Sequence, residues 1–220
     1  MIKLENITKK YNDKTVYNNF NLNFNEGEIL CVLGASGSGK TTLLNILAGI
    51  TDFQGKIKGS INKISYIFQE DRLLDNLTVK QNISYVTGTD KGISEILNLI
   101  EMNSTENLYP KQLSGGMKRR VGMARAFAYP SNLLLMDEPF SNLDLNLKIK
   151  LIKIFKTLWK NNNKTTVFVT HDLDEAIMLS DRIIMIENGS IIEDLILPKT
   201  EKEYDSYPDI KKQLLSKIIK

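Results

Sequence analysis

The fold is decided by the stretch Gly34-Ala35-Ser36-Gly37-Ser38-Gly39-Lys40-Thr41, which fits the pattern G-x-x-x-x-G-K-[ST]. An apolar run at residues 29–33 precedes it and helical spacing at residues 40–48 follows it. Glycines let backbone N–H groups curl around an anion, and the following helix adds its positive N-terminus. We therefore expect a nucleotide site in which Lys40 reaches the β- and γ-phosphates, Thr41 holds Mg²⁺ and Thr42 takes part. A chance glycine-rich turn is the alternative, and the strand–loop–helix context argues against it.

Strand and helix patterns extend outward from this loop. Residues 2–8 and 16–24 predict strands, because Phe20, Leu22 and Phe24 alternate as in a half-buried antiparallel strand. Further strands are predicted at residues 133–136, 165–169 and 182–186, with two short ones within 57–68. Helical spacing covers residues 78–128 and a long amphipathic helix marked by Leu143, Leu147, Leu151, Phe155 and Leu158.

This order of elements predicts one α/β domain over residues 1–220. We expect a mostly parallel core sheet, an antiparallel β subdomain and a helical subdomain inserted at about residues 72–128. A C-terminal tail, about residues 198–220, should pack onto the domain through apolar side chains at helical spacing: Ile210, Leu214, Leu215, Ile218 and Ile219.

Two further motifs carry candidate chemistry. The first is the apolar run at 133–136 that delivers Asp137 and Glu138 at its end, so that one carboxylate can serve Mg²⁺ and the other can polarise a water. An ordinary strand with an acidic turn is the alternative. The second is Ser114-Gly115-Gly116, which opens a helix and resembles another anion site. Alone, it would be a plain helix cap, since one phosphate loop does not need a second site for its own nucleotide.

Composition excludes several classes of protein. The longest apolar runs are short, so we expect no membrane-spanning helix and no signal peptide. One cysteine, Cys31, excludes an internal disulfide and a cysteine-based zinc site, and one histidine, His171, excludes a multi-histidine metal centre. The net charge of +3, from 29 basic and 26 acidic residues, gives no nucleic-acid footprint, and no nucleic-acid partner is expected.

The order of these motifs resembles the ATP-binding-cassette ATPases, which are P-loop NTPases. The resemblance runs from about residue 4 to about residue 197 and rests on the phosphate loop, Gln69, Leu113-Ser114-Gly115-Gly116-Met117, the Asp137-Glu138 pair, Ser141-Asn142-Leu143-Asp144 and Thr170-His171-Asp172. It implies a dimer of ATPase subunits that sandwiches two ATP molecules head-to-tail. The Ser114 motif of one copy would then meet the γ-phosphate bound by the other, which explains two anion sites on one chain.

The resemblance also implies roles for single residues. Tyr11 would stack on adenine, Gln69 would contact Mg²⁺ and water, and His171 would contact the γ-phosphate. Asp144 would lie at the dimer interface. Met117 and Arg119 stand where glutamine is frequent in the family, and because neither change removes a phosphate donor, we expect activity to be retained.

Less specific stretches narrow the class of cassette protein. The chain is similar to ATPase subunits of nitrate, sulfonate and taurine importers at residues 69–74 and 77–79, at Asn82, and at residues 109–118 and 171–177. The resemblance implies permease subunits as partners, docked at a groove near residues 69–79, with a substrate-binding protein acting indirectly. It places the chain in the cytoplasm, on the inner face of the membrane. A separate-chain exporter subunit is the first alternative, and a soluble non-transport ATPase is the second.

Overall fold

The computed structural model describes residues 1–198, 202, 204 and 207–218. Its strands are β1 (Ile2–Tyr11), β2 (Lys14–Phe24), β3 (Ile29–Leu33), β4 (Gln54–Lys58), β5 (Ile64–Ile67), β6 (Leu133–Asp137), β7 (Thr165–Thr170), β8 (Arg182–Glu187) and β9 (Ser190–Ile196). Its helices are α1 (Lys40–Leu47), α2 (Val79–Thr87), α3 (Ile93–Leu99), α4 (Gly115–Ala128), α5 (Leu145–Asn162), α6 (Leu173–Leu179) and α7 (Pro208–Ile218), with a 3₁₀ turn at Pro110–Gln112. None of these helices is both long and apolar enough to cross a membrane.

The core sheet has six strands in the order β5-β6-β7-β3-β8-β9. All neighbours pair in parallel except β8 and β9, which are antiparallel. The central strands are buried on both faces, which is why they appear in the sequence as continuous apolar runs. Because β7 lies between β3 and β6, the C-terminal ends of these three strands meet at one edge of the sheet.

The second sheet is antiparallel and has the order β2-β1-β4. Phe20, Leu22 and Phe24 are buried, as their alternation predicts, and they join the core beneath α1. Strand β4 differs from the prediction because it begins at Gln54 rather than at Ile57. Its first residues are polar and include Gly55, where a Cβ would lie 2.6 Å from the Asn6 carbonyl oxygen, so the pairing rests on backbone contact that side-chain pattern does not signal.

The helical part, α2 to α4, packs against α5. Thr78 and Gln81 form a capping box at the start of α2. Phe127 of α4 meets Phe155 of α5 edge-on, with ring centroids 5.6 Å apart. Helix α5 begins at Leu145, later than Leu143, because the Asp144 carboxylate accepts from the Leu147 N–H at 3.0 Å and caps the helix.

Helix α6, strand β9 and the C-terminal tail give the weakest sequence patterns. The sequence analysis did not predict α6, which has only seven residues, or β9, whose residues alternate between exposed and half-buried. In the tail, Leu214 of α7 is fully buried, which agrees with the predicted packing. Ile219 and the Ile218 side chain lie outside the described residues.

A buried lysine joins the helical part to the core sheet. Lys164 is 5% exposed. Its ammonium donates to the carbonyl oxygens of Ala126 at 3.1 Å and Tyr129 at 2.5 Å, and to Ser131 Oγ at 2.9 Å. These carbonyls belong to the end of α4, where a cation is favoured by the helix dipole. Burial nevertheless lowers the pKa of Lys164 to about 8.

This lysine predicts a pH dependence of stability. Between about pH 8 and pH 10.5 the unfolded chain binds a proton at Lys164 that the folded chain has released, so the free energy of unfolding should rise with pH in that window. We expect the wild type to gain up to about 3 kcal/mol relative to Lys164→Met, measured by urea unfolding across the window. Lys160→Met, at an exposed position of α5, is the control and should keep the wild-type slope. Parallel curves for the wild type and Lys164→Met would contradict the prediction.

Candidate functional site

The loop after β3 has the shape of an anion cradle. Gly39, at the N-cap of α1, has φ 105°, and a Cβ there would lie 2.8 Å from Val16 Cγ1, so glycine is required. The 6%-exposed Lys40 donates its ammonium hydrogens to the carbonyl oxygens of Gly34 at 2.8 Å and Ala35 at 2.9 Å. Among the residues that the structure describes, only Ser38 has a buried side-chain polar atom without a hydrogen-bond partner. An unpaired hydroxyl and a buried ammonium in one loop fit a phosphate ligand.

The charges around Lys40 act in opposite directions. Burial lowers the pKa of its ammonium, while Glu138 and Asp137 raise it. Burial also raises the pKa of Asp137, and the hydrogen bond from Thr41 opposes that rise. The cation and the two acids therefore share one partly buried edge of the sheet.

Thr41 and Asp137 present two oxygens suited to a hard cation. Thr41 Oγ1 donates to Asp137 Oδ1 at 3.2 Å, across the edge where β3 and β6 end. Within the described ranges, no group of three or more His, Cys, Asp and Glu side chains could hold a metal ion. Mg²⁺ is commonly held by one or two protein oxygens together with waters and substrate phosphates, so this pair fits Mg²⁺ bound alongside a nucleotide.

Glu138 and His171 meet at the same edge. Glu138 has φ 44°, a left-handed conformation that a non-glycine residue seldom adopts, and its N–H donates to the Val169 carbonyl at 3.0 Å. His171 follows β7, and its Nδ1 lies 3.3 Å from Glu138 Oε2. The imidazole is 64% exposed and the carboxylate 20% exposed, so both can reach a ligand in front of the phosphate loop.

Gln69 follows β5, and Tyr11 is the last residue of β1. The Gln69 amide donates to Ser141 Oγ at a long 3.4 Å, and the Ser141 N–H donates to the Glu138 carbonyl at 3.2 Å. Tyr11, at the end of β1, is 44% exposed, with the Lys9 ammonium 4.5 Å from its ring centroid. Because the Lys9 ammonium covers one face of the Tyr11 ring, the other face is available for stacking on a ligand.

The Ser114 motif forms the start of α4. Ser114 Oγ accepts from the Met117 N–H at 3.3 Å, which is the geometry of an N-cap. A Cβ on Gly116 would lie 2.9 Å from Leu147 Cδ1, so glycine is needed where α4 meets α5. Gly115 has open space around its Cα. The described hydrogen bonds of Ser114 stay within α4 and do not reach the phosphate loop.

The sequence analysis missed an ionic network that holds the residues flanking His171. The Lys148 ammonium lies 2.5 Å from Asp172 Oδ2 and 2.9 Å from Glu175 Oε1, and Thr170 Oγ1 donates to Glu175 Oε2 at 2.6 Å. Burial raises the pKa of Glu175, which is 2% exposed, against the hydrogen bonds from Thr170 and Lys148. An acid within an apolar helical stretch, Glu175-Ala176-Ile177, was the sequence signal for this network.

The known proteins that resemble this chain are ATP-binding proteins of ABC transporters. A family model described as ABC transporter matches residues 17–141. The chain is 35% identical over 242 residues to the aliphatic sulfonates import ATP-binding protein SsuB of Bacillus cereus, with 99% of this chain and 95% of the relative covered. It is 36% identical over 216 residues to the sulfate/thiosulfate import ATP-binding protein CysA 1 of Shewanella oneidensis, with 86% of this chain and 57% of that protein covered.

Solved structures agree with these relatives. A dimeric structure of the bacterial ABC transporter cassette MJ0796 has a TM-score of 0.77 and 31% identity, and covers 91% of this chain and 100% of that one. A dimeric post-hydrolysis state of the same cassette, bound to ADP and Pi, has a TM-score of 0.76 and 30% identity at the same coverage. The predicted cassette fold, with its parallel core, antiparallel sheet and helices, is confirmed. The chain belongs to the ABC transporter family of ATP-binding cassettes.

Proposed function

We propose that the chain is the Mg²⁺-dependent ATPase subunit of a membrane importer for a small anionic solute of the sulfonate or sulfate class. The observation that carries the proposal is the meeting of the phosphate loop, the Thr41–Asp137 pair and the Glu138–His171 pair at one sheet edge. The similarity to SsuB and CysA, which are named as import ATP-binding proteins, supports the importer class. A separate-chain exporter subunit is the alternative, because the ATPase geometry would serve either direction of transport.

Binding of ATP would exchange the contacts of Lys40. Its ammonium would release the carbonyls of Gly34 and Ala35 and donate to phosphate oxygens instead, which are stronger, charged acceptors. Thr41 and Asp137 would hold Mg²⁺, with Gln69 as a further contact. When bound, Mg²⁺ neutralises charge on the phosphates. Tyr11 would stack on adenine, and loop residues 34–42 would surround the phosphates.

Glu138 is the proposed base for hydrolysis. Its carboxylate would accept a proton from the attacking water as the water oxygen bonds to the γ-phosphorus and the bond to ADP breaks. The left-handed backbone at Glu138 sets the direction in which its side chain leaves the main chain. The pairing of β7 with β6 places His171, which follows β7, beside that side chain. His171 would contact the γ-phosphate, which is present only before hydrolysis, so it can report the nucleotide state.

The proposed partners follow from the exposed parts of the site. Ser114, Gly115 and Gly116 would contact the γ-phosphate held by a second copy of the chain, and the dimeric MJ0796 structures support this arrangement. A groove near residues 69–79 would dock a permease subunit on the inner face of the membrane. A substrate-binding protein would act through the permease.

Removal of the Lys40 ammonium should weaken nucleotide binding. We expect Lys40→Ala to lower ATP affinity about 10- to 100-fold, because a charge-assisted contact to phosphate is lost, and to abolish turnover. Titration with a fluorescent ATP analogue and a phosphate-release assay measure both effects. Lys91→Ala makes the same charge change at an exposed site in the helical part and should behave as the wild type. Wild-type affinity in Lys40→Ala would refute the site.

Neutralising Glu138 should separate binding from hydrolysis. We expect Glu138→Gln to bind ATP with wild-type affinity but to hydrolyse it at least about 100-fold more slowly, because the proton acceptor is lost. The variant should accumulate as an ATP-bound dimer in size-exclusion chromatography with light scattering. Glu95→Gln is the matched exposed control. Near-normal hydrolysis by Glu138→Gln would reject Glu138 as the base, and a fully active monomer would reject the shared site.

Co-expression should distinguish the classes of cassette protein. With the permease subunits encoded beside its gene, the chain should sediment with membranes and show ATPase activity that responds to the loaded substrate-binding protein. Co-expression of the Lys40→Ala variant with the same permease subunits tests whether assembly of the complex requires bound nucleotide. Stimulation by substrate on the cytoplasmic side, without a binding protein, would favour an exporter, and a chain that purifies with ribosomes or DNA would favour the non-transport class.

A further inference from the structure

A buried arginine of helix α4 donates hydrogen bonds to the backbone at Gln69. Arg119 is 7% exposed. Its Nη1 donates to the Phe68 carbonyl at 3.1 Å and its Nη2 to the Gln69 carbonyl at 2.7 Å. The carboxylate of Asp71 lies 3.3 Å from the same Nη1. One guanidinium thus contacts three residues of the segment that leaves the core sheet.

The segment held by Arg119 has no regular structure of its own. Residues 68–74 lie between β5 and α2 and belong to neither a helix nor a strand. Burial raises the pKa of Asp71, and the attraction of Arg119 opposes that rise. Arg125 of the same helix donates to the Arg72 carbonyl at 2.6 Å. Side chains of α4 therefore supply hydrogen bonds that a neighbouring strand would otherwise provide.

The placement of the Gln69 side chain depends on this backbone. Its amide donates a hydrogen bond to Ser141 Oγ at 3.4 Å, which is at the weak end of the range. The backbone carbonyl contact of Gln69 with Arg119 is shorter and charge-assisted. Helix α4 begins at the Ser114 cap, so the group that fixes Gln69 and the second anion site share one rigid element.

We propose that Arg119 is a positioning residue that locks Gln69 to the helix carrying Ser114. Movement of α4 then moves the Gln69 amide with it, and contact at the Ser114 end reaches the Mg²⁺ side of the site through one guanidinium. This inference rests on the proposed ATPase function. It is compatible with the expectation that activity is retained with arginine at this position, and it gives that arginine a role.

The neighbouring residue provides a matched control. Arg120 follows Arg119 on α4 and also donates to two backbone carbonyls, those of Ile100 at 3.2 Å and Glu101 at 3.0 Å. Those carbonyls lie within the helical part, away from Gln69. Arg120→Met therefore removes a similar set of contacts from the same helix without releasing the segment at 68–74.

The first test needs no nucleotide. Trypsin can cut after Arg72, which is exposed in the irregular segment. We expect Arg119→Met to speed that cleavage about tenfold in the nucleotide-free protein, since release of a clamped segment raises its local opening, while Arg120→Met changes it no more than about twofold. Peptide mass spectrometry identifies the site. Equal acceleration in both variants would show general destabilisation and overturn the proposal.

The second test is a double-mutant cycle with Gln69. We expect Arg119→Met to lower kcat about tenfold with little change in KM for ATP, and Arg119→Lys to recover part of the loss because an ammonium can still donate to a carbonyl. If Arg119 acts through Gln69, the double variant with Gln69→Ala should be no slower than Gln69→Ala alone. Fully additive losses would overturn the proposal.

The outcomes separate this inference from the proposed function. A wild-type chain without ATPase activity, assayed in the membrane complex, would refute the proposed function and leave the trypsin result to decide the structural clamp. An active wild type with an equally active Arg119→Met would refute the positioning role alone. If Arg119→Met does not fold, trypsin cleavage and kcat are measured for Arg119→Lys and Asp71→Asn instead. Wild-type cleavage rates and wild-type kcat in both of these variants would overturn the proposal.

Discussion

The parallel pairing of β7 between β3 and β6 is the constraint on which the site depends. Leu33 is in register with Thr170, and Asp137 with Val169, so the three strands end within a residue of one another. The phosphate loop, the acids and the histidine follow directly from those ends. A shift of one residue in β7 would turn its side chains to the other face and would carry His171 away from Glu138. The arrangement of the candidate site therefore depends first on strand register and only then on its individual side chains.

Electrostatics at this edge favours an anion with a bound cation. Lys40 is pulled toward neutrality by burial and toward charge by Asp137 and Glu138, while Asp137 is pushed toward protonation by its own burial. In the proposed function, a nucleotide phosphate would satisfy the ammonium and a divalent cation would satisfy the carboxylate, so each ligand would relieve the desolvation of the group that it contacts. Binding of both ligands together would therefore be more favourable than binding of either alone.

Sequence patterns predicted the parts of the molecule whose signal is local. The phosphate loop, the buried strands and the cap at Ser114 each depend on a few consecutive residues, and the structure contains them. Strand β9 was missed because its residues are half-buried or exposed, and the start of β4 was placed too late because that strand pairs through polar, glycine-containing backbone. The Lys148 network was missed for a different reason. Lys148 is 22 or more residues before its partners, which lie between Thr170 and Glu175, and no periodicity marks an ion pair over that separation.

The choice of arginine at position 119 has a geometric explanation. A glutamine amide offers two donors on one nitrogen, whereas a guanidinium offers donors on separate nitrogens in a fixed plane. Arg119 uses Nη1 for the Phe68 carbonyl and Nη2 for the Gln69 carbonyl, which are successive along the chain. The two nitrogens of the guanidinium therefore serve one acceptor each, and the nearby Asp71 offsets part of the cost of burying its charge. Since α4 has 14 residues and rises about 1.5 Å per residue, the same helix extends for about 20 Å from the Ser114 cap. A continuous helix that begins at the proposed Ser114 anion site and holds residues 68 and 69 through Arg119 would transmit a displacement better than the irregular segment that it contacts.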